Sequence, residues 1–233
     1  MIGSPRAHFR VTDSTNERAK ALAAAGAPHG TLVTADEQSA GRGRQGRAWT
    51  APAHSSILMS LVVRGLDERH AMLPLTTAIA VCEALDPLPC RIKWPNDVWL
   101  GRRKLAGILV EGRPQEGWAV LGIGLNVNLR PGDLPPELRE TATSIATFSG
   151  EEQDPEQVLE ALLRSLEAWT AAPDREVLAA WRERDALLGE RVRWAGGEGT
   201  ASGIGEAGAL LVETNTGIVE LDAGEVHLST EPR

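Results

Sequence analysis

RIKWPNDVWLGRRKLAGILVEG, residues 91–112, sets two apolar runs on either side of a Gly-Arg-Arg turn. Trp94 precedes Pro95, and a residue before proline is biased to extended backbone, so Arg91–Trp94 reads as extended. VWL and KLAGILVE then read as a β-hairpin turning at Gly101. Downstream, WAVLGIGLNVNL (118–129) is a further strand, and upstream SSILMSLVV (55–63) is a buried one. TLVTA (31–35) is a shorter β-like run, and the polar, Gly-rich residues 36–54 read as loop.

Helical segments separate these strands. In DSTNERAKALAAAGA (13–27), Ser14 and Glu17 have the spacing of a capping box, and Gly26 supplies a stop. Residues 67–85 have helical periodicity, with Pro74 beginning or bending the main run. Residues 131–154 are rich in Pro, Gly, Asp and Glu and read mainly as loop. Two amphipathic helices follow, 155–172 and 174–188, separated at Pro173. Beyond Leu188 short β-like runs are broken by Gly and Asn, which reads as a small all-β barrel of about five strands. The expected boundary lies between Leu188 and Gly189, giving domains of residues 1–188 and 189–233.

The 233 residues carry a net charge of −8 and a sequence pI near 5.2, which argues against a general nucleic-acid binder. No run of 18 or more apolar residues exists, so no membrane span is expected. The N-terminus lacks an apolar h-region, so cytoplasmic location is the expectation. Cys82 and Cys90 read as buried thiols, and no Cys/His spacing resembles a zinc site.

Within this acidic chain, GRGRQGRAW (41–49) concentrates three arginines and three glycines in seven positions. Gly41, Gly43 and Gly46 spell GxGxxG, yet no helix follows, so the dinucleotide fingerprint fails. Glycines let backbone N–H groups approach an anion, and arginine grips phosphate or carboxylate with a planar fork. Such a loop suits a small phosphorylated ligand. Lys93, Asn96 and Asp97 in KWPND have the donor types for a nucleotide and its Mg²⁺, which takes carboxylate and phosphate oxygens. Lys104 enters an apolar strand, where it would be partly desolvated unless it meets an anion. Asn126, in GIGLNVNL, needs hydrogen-bond partners if buried.

Taken in order, GRGRQGRAW, KWPND, KLAGILVE and GIGLNVN resemble the motifs of biotin–protein ligases, the biotin–[acetyl-CoA-carboxylase] ligases. DSTN at Asp13–Asn16, Gln38 and the small C-terminal β region match the same family, over about residues 9–230. The resemblance implies an α/β fold: a mixed-sheet catalytic domain related to class II aminoacyl-tRNA synthetases, followed by an SH3-like barrel. It implies a two-step reaction. Biotin's carboxylate attacks the α-phosphate of ATP to give biotinyl-5′-AMP and pyrophosphate. A lysine of a biotin carboxyl carrier protein then takes the biotinyl group, releasing AMP.

The resemblance also implies roles for residues. Ser14, Thr15, Asn16 and Gln38 meet the uncharged ureido end of biotin. Gly41, Arg42, Gly43 and Arg44 form the biotin-binding loop, and Arg42 or Arg44 steers the reacting groups. Trp49 walls the apolar part of biotin, and Gly107 joins the biotin-binding set. Lys104 meets the carboxylate and α-phosphate. Arg44, Arg47, Lys93, Asn96, Asp97 and Asn126 face the nucleotide, with Asp97 the metal ligand. Apart from the resemblance, the carboxylate of Asp97 is a candidate acceptor for the proton of the incoming amine.

Only about a dozen residues precede DSTN, so no operator-binding domain is expected, and no DNA or membrane partner. Family members range from monomers to ligand-linked homodimers, and both remain open. The rivals are a lipoate–protein ligase or octanoyltransferase, a non-catalytic biotin or nucleotide binder, and a two-domain interaction protein.

Overall fold

The computed structural model describes residues 1–66, 71–222 and 224–229. A seven-stranded mixed sheet forms the larger part of the molecule. Its strands are β1 (Arg6–Thr12), β2 (Leu32–Gln38), β3 (Ser56–Arg64), β4 (Arg91–Lys93), β5 (Asp97–Leu100), β6 (Arg103–Arg113) and β7 (Trp118–Asn126). Their order is β1-β2-β3-β7-β6-β5-β4. The β1–β2 pair is parallel and every other pair is antiparallel. The parallel pair is joined by helix α1 (Thr15–Ala24), the kind of crossover parallel strands need.

The hairpin turn falls at Gly101 and Arg102, both in the left-handed region at φ +60° and +61°. The strand β1 is absent from the sequence reading, and β2 runs three residues past the expected TLVTA. The capping box at Ser14 and Glu17 does not form. Ser14 is the N-cap but makes no side-chain cap bond, and Glu17 instead pairs with Lys20 and Arg42. The expected helix over 67–85 appears as α2 (Leu73–Ala84), with Pro74 in its first turn; residues 67–70 lie outside those described. Within 131–154 a short helix α3 (Ile145–Ser149) stands on its Ser144 cap, which accepts from the Thr147 backbone at 3.0 Å. Helix α4 (Pro155–Ala171) opens with an Asp154 cap and proline at its first position. Helix α5 (Asp174–Glu183) ends five residues short of the expected Leu188.

The two faces of the sheet carry different cores, as alternation along each strand requires. Ile57, Met59 and Leu61 of β3, with Leu121, Ile123 and Leu125 of β7, join the main core. Helix α2 packs there against α4 and α5. On the opposite face Val62, Trp118 and Val120 meet Ala19 and Ala23 of α1. Helix α1 covers this second face only towards one end. The stretch of β7 beyond Val120 therefore needs another cover, and that is where the cavity lies.

The C-terminal strands are β8 (Arg191–Trp194), β9 (Gly197–Ile204), β10 (Leu210–Thr214), β11 (Gly217–Leu221) and β12 (His227–Leu228). They form a five-stranded antiparallel sheet in the order β11-β10-β9-β8-β12. Its apolar residues, among them Val192, Ile204, Leu210 and Val212, belong to the main core. The β9–β10 turn is tight against α2: a Cβ on Gly208 would stand 2.7 Å from Leu75, and Trp94 Nε1 donates to the Gly208 carbonyl at 3.0 Å. Cys82 and Cys90 are buried free thiols; hydrogen bonding to Cys90 and burial push the Cys82 thiol well up, so it packs as a neutral group.

Candidate functional site

Three alternate residues of β7, at 122, 124 and 126, face the uncovered part of the sheet. Two of the three are glycine, and the reason is steric. A Cβ on Gly122 would lie 2.1 Å from Oδ1 of Asn16, and one on Gly124 would lie 2.4 Å from the ring of Trp49. On the neighbouring strand a Cβ on Gly107 would meet the same ring at 2.8 Å and the Lys104 Nζ at 3.2 Å. Gly107 stands directly beside Gly124 in the β6–β7 register. The floor is thus bare backbone, on which Asn16, Trp49 and Lys104 rest. Successive same-face positions are roughly 6.6 Å apart at 3.3 Å per residue. An amide, an aromatic wall and a cation follow one another along the sheet.

The roof is residues 41–49. Gly43 N donates to the Arg47 carbonyl at 2.7 Å and Trp49 N to Gly41 at 3.0 Å, closing the segment as a narrow loop. Its tip holds Gln45 at φ 54° and Gly46 at φ +76°. Between floor and roof lies a cavity of about 610 Å³. That volume falls within the range of small-molecule and cofactor sites.

Fifteen of the sixteen residues expected at the site line this cavity; Gly41 does not. Gly41 is buried in the hinge instead, where a Cβ would meet the Trp49 carbonyl at 2.4 Å, so its part is to let the loop fold back. One end of the cavity is neutral and polar. The Thr15 backbone N–H donates to Gln38 Oε1 at 2.7 Å, and the Thr15 hydroxyl does so at 3.1 Å. These bonds occupy the Gln38 carbonyl and leave its NH₂ as the outward group. Ser60 Oγ lies 2.8 Å from Thr15 Oγ1 and 2.6 Å from Asn16 Oδ1.

The other end is cationic. Lys104 Nζ is 2.7 Å from Asp97 Oδ1 and 5.6 Å from the centre of the Trp49 ring. Lys93 stands over the Trp99 ring at 4.8 Å. Arg44, half-buried, donates to Asn96 Oδ1 at 3.2 Å, and Asn96 donates in turn to the Ile108 carbonyl at 2.7 Å. Asn126 is buried with one bond on each side of its amide: it donates to the Thr143 carbonyl at 2.9 Å and accepts from Ser56 at 3.2 Å. Arg42 and Arg44 of the loop separate in role. Arg42 is exposed and turned to Glu17 on α1 at 2.8 Å, whereas Arg44 stays over the cavity.

The sequence reading missed several contributors. Ser60 lies in the middle of an apolar strand and gives no signal of its own. Glu111 ends KLAGILVE and is brought to Asn16 and Lys20 by strand register, at 2.8 and 3.1 Å. The C-terminal sheet also reaches the rim: Gly224–His227 line the cavity, and Glu225 pairs with Arg47 at 2.5 Å. Among the described residues no cluster of three or more His, Cys, Asp or Glu forms a dedicated metal cage.

This arrangement has close counterparts. Residues 8–128 match the model of the biotin/lipoate A/B protein ligase family, and residues 187–229 match the biotin protein ligase C terminal domain. The biotin–[acetyl-CoA-carboxylase] ligase of Mycobacterium tuberculosis is 37% identical, over 92% of this chain and 85% of that protein. The bifunctional ligase/repressor BirA of Bacillus subtilis is 33% identical, over 98% of this chain and 75% of its own length. Among solved structures, the biotin protein ligase from Aquifex aeolicus in complex with biotin and ATP superposes with a TM-score of 0.82 at 30% identity, covering 97% of this chain and 98% of that one. A family model that spans more than half of the chain, and relatives alike over nearly all of it, agree with the glycine floor and Gly/Arg roof: the chain belongs to the biotin/lipoate A/B protein ligase family.

Proposed function

We infer that the protein is an ATP-dependent biotin–protein ligase, which activates biotin as biotinyl-5′-AMP and transfers it to a lysine of a biotin carboxyl carrier protein. The observation that carries the reading is the order along the floor: neutral amide and hydroxyl groups, then an aromatic wall, then cations. Biotin has the same order, a neutral urea, an apolar ring and chain, and a carboxylate. Relatives at 30% identity or more are ligases of this kind, and one solved relative holds biotin and ATP together.

The adenylation step joins two anions, so charge neutralisation and positioning dominate its catalysis. Lys104 is the group proposed for the biotin carboxylate and the α-phosphate oxygens, and Arg44 for the phosphate as charge shifts towards the leaving pyrophosphate. Lys93 and Arg47 extend the positive field over the nucleotide. Asn126 holds the Thr143 carbonyl and so fixes the wall of the nucleotide end, leaving one N–H and one lone pair of its amide for a ligand. Arg42 serves as a tether of the closed loop, through Glu17.

Asp97 is the carboxylate proposed for Mg²⁺. It is half-buried at the start of β5, lines the cavity beside Lys104, and offers the hard oxygen that this ion takes together with phosphates. Bound there, Mg²⁺ would supply further neutralisation of the triphosphate. In the transfer step Asp97 is also the group proposed to receive a proton from the incoming lysine amine. A closed loop would keep water from the mixed anhydride until the carrier arrives.

Pyrophosphate release with biotin, ATP and Mg²⁺ tests the reading. A biotin-dependent burst near one per active site, turning to steady release when carrier domain is added, is the expected result. Release with lipoate or octanoate in place of biotin would reassign the substrate.

A further inference from the structure

Asn16 is buried at the neutral end of the cavity, and the direction of its amide is set from outside. Its Nδ2 donates to Glu111 Oε2 at 2.8 Å, while its Oδ1 accepts from Ser60 at 2.6 Å and borders Gly122 of the floor. Ser60 fits either orientation of the amide, since a hydroxyl donates or accepts. An ionised carboxylate only accepts, so Glu111 alone dictates that the NH₂ faces away from Ser60. Glu111 does not line the cavity itself. Lys20 holds its second oxygen at 3.1 Å and is in turn 2.6 Å from Glu17. Burial raises the Glu111 carboxyl, but bonds from Asn16 and Lys20 with the charges of Lys20 and Arg42 outweigh it and keep the group ionised.

We propose that Glu111 is a positioning residue for substrate recognition: by fixing the Asn16 amide, it presents a carbonyl acceptor to an N–H of the cyclic urea. The proposal rests on the biotin reading above. One lone pair of Asn16 Oδ1 is used by Ser60, and the other remains for a ligand donor. Two substitutions at Glu111 should then differ in an unusual order. In Glu111→Gln, the new amide oxygen is drawn to Lys20, so its NH₂ faces Asn16. Asn16 then turns its carbonyl to that NH₂ and its own NH₂ to the cavity, where it opposes the urea N–H. In Glu111→Ala no group enforces the wrong orientation. The isosteric change should therefore harm recognition more than the truncation.

The test is calorimetric binding of biotin to wild type, Glu111→Gln, Glu111→Ala, Asn16→Ala and the Asn16→Ala/Glu111→Gln double variant, with the KM for ATP measured alongside. The expected result is a biotin Kd raised at least ten-fold by Glu111→Gln and less by Glu111→Ala, with the KM for ATP within two-fold. In the Asn16→Ala background, Glu111→Gln should add less than two-fold. A Glu111→Ala loss equal to or larger than that of Glu111→Gln, or an undiminished Glu111→Gln effect without Asn16, would overturn the inference. A wild-type protein that does not bind biotin would overturn the substrate reading, and the inference with it.

Discussion

Gly124 is bare because the Trp49 ring lies where its side chain would be. Adding a methyl there forces Trp49 off the floor, and overpacking of this kind typically costs about 1–3 kcal/mol. Trp49 sits on a surface loop, so the strain opens the roof rather than the core. Gly124→Ala should weaken biotin about 5- to 150-fold while the melting temperature changes little, read by binding and thermal denaturation. Lys104 carries a sharper expectation. Removing one preorganised donor from a developing charge costs about 10²–10³ in rate, so Lys104→Ala should lower biotin-dependent pyrophosphate release by that factor. Wild-type turnover in that variant would return the lysine to its pairing with Asp97 alone. At Glu111 the linkage has a definite sign. Its folded carboxyl is held below the ordinary value of 4.5 by Asn16 and Lys20 against the cost of burial. The stability it contributes is complete above that value and is lost as pH falls through the lowered one. Denaturant midpoints below pH 4.5 should fall less steeply in Glu111→Gln than in wild type.

At the scale of elements, the proposed mechanism makes the loop over 41–49 its moving part. It is fastened at Glu17, Asn96 and Glu225, each through one arginine. Exposed ion pairs such as Arg42–Glu17 and Arg47–Glu225 are worth about 0–1 kcal/mol each, so they fasten the loop only weakly. Trypsin should therefore cut within Arg42–Arg47 readily in the free protein and several-fold more slowly with biotin and ATP; equal rates would remove the roof from the mechanism. The legibility of the elements follows the same division between local and distant causes. The hairpin at Gly101 was readable because a turn residue and two apolar runs suffice to specify it. The strand RAHFRVT was not, because an edge strand with one parallel partner buries little and shows no run of apolar residues. Ser14 and Glu17 had a capping pattern, but Ser14 faces the cavity and Glu17 serves Lys20 and Arg42, so tertiary partners displaced the local motif. Dense motifs announced the loop, Lys104 and Asp97. Ser60, Glu111 and Glu225 gain their parts only through strand register and the packing of the C-terminal sheet, which no neighbouring residue encodes.

At the scale of the whole molecule, the larger of the two cores runs through both of the bodies that the sequence suggests. Val192, Ile204 and Leu210 of the C-terminal sheet belong to the same apolar cluster as Ile92, Leu105 and Trp181. Calorimetry should accordingly show one cooperative unfolding transition, and two resolved transitions would contradict a shared core. The contact between Glu225 and Arg47 also carries weight beyond its modest energy, because it joins the roof to the segment just before β12. Floor and roof are built from residues 14–126, whereas Gly224–His227 bring the C-terminal sheet to the rim. Because that sheet is seated on the main core, loosening it would release the roof while leaving the glycine floor intact. The small sheet thus stands to the chamber as a buttress stands to a vault, holding from outside a cover it does not itself form.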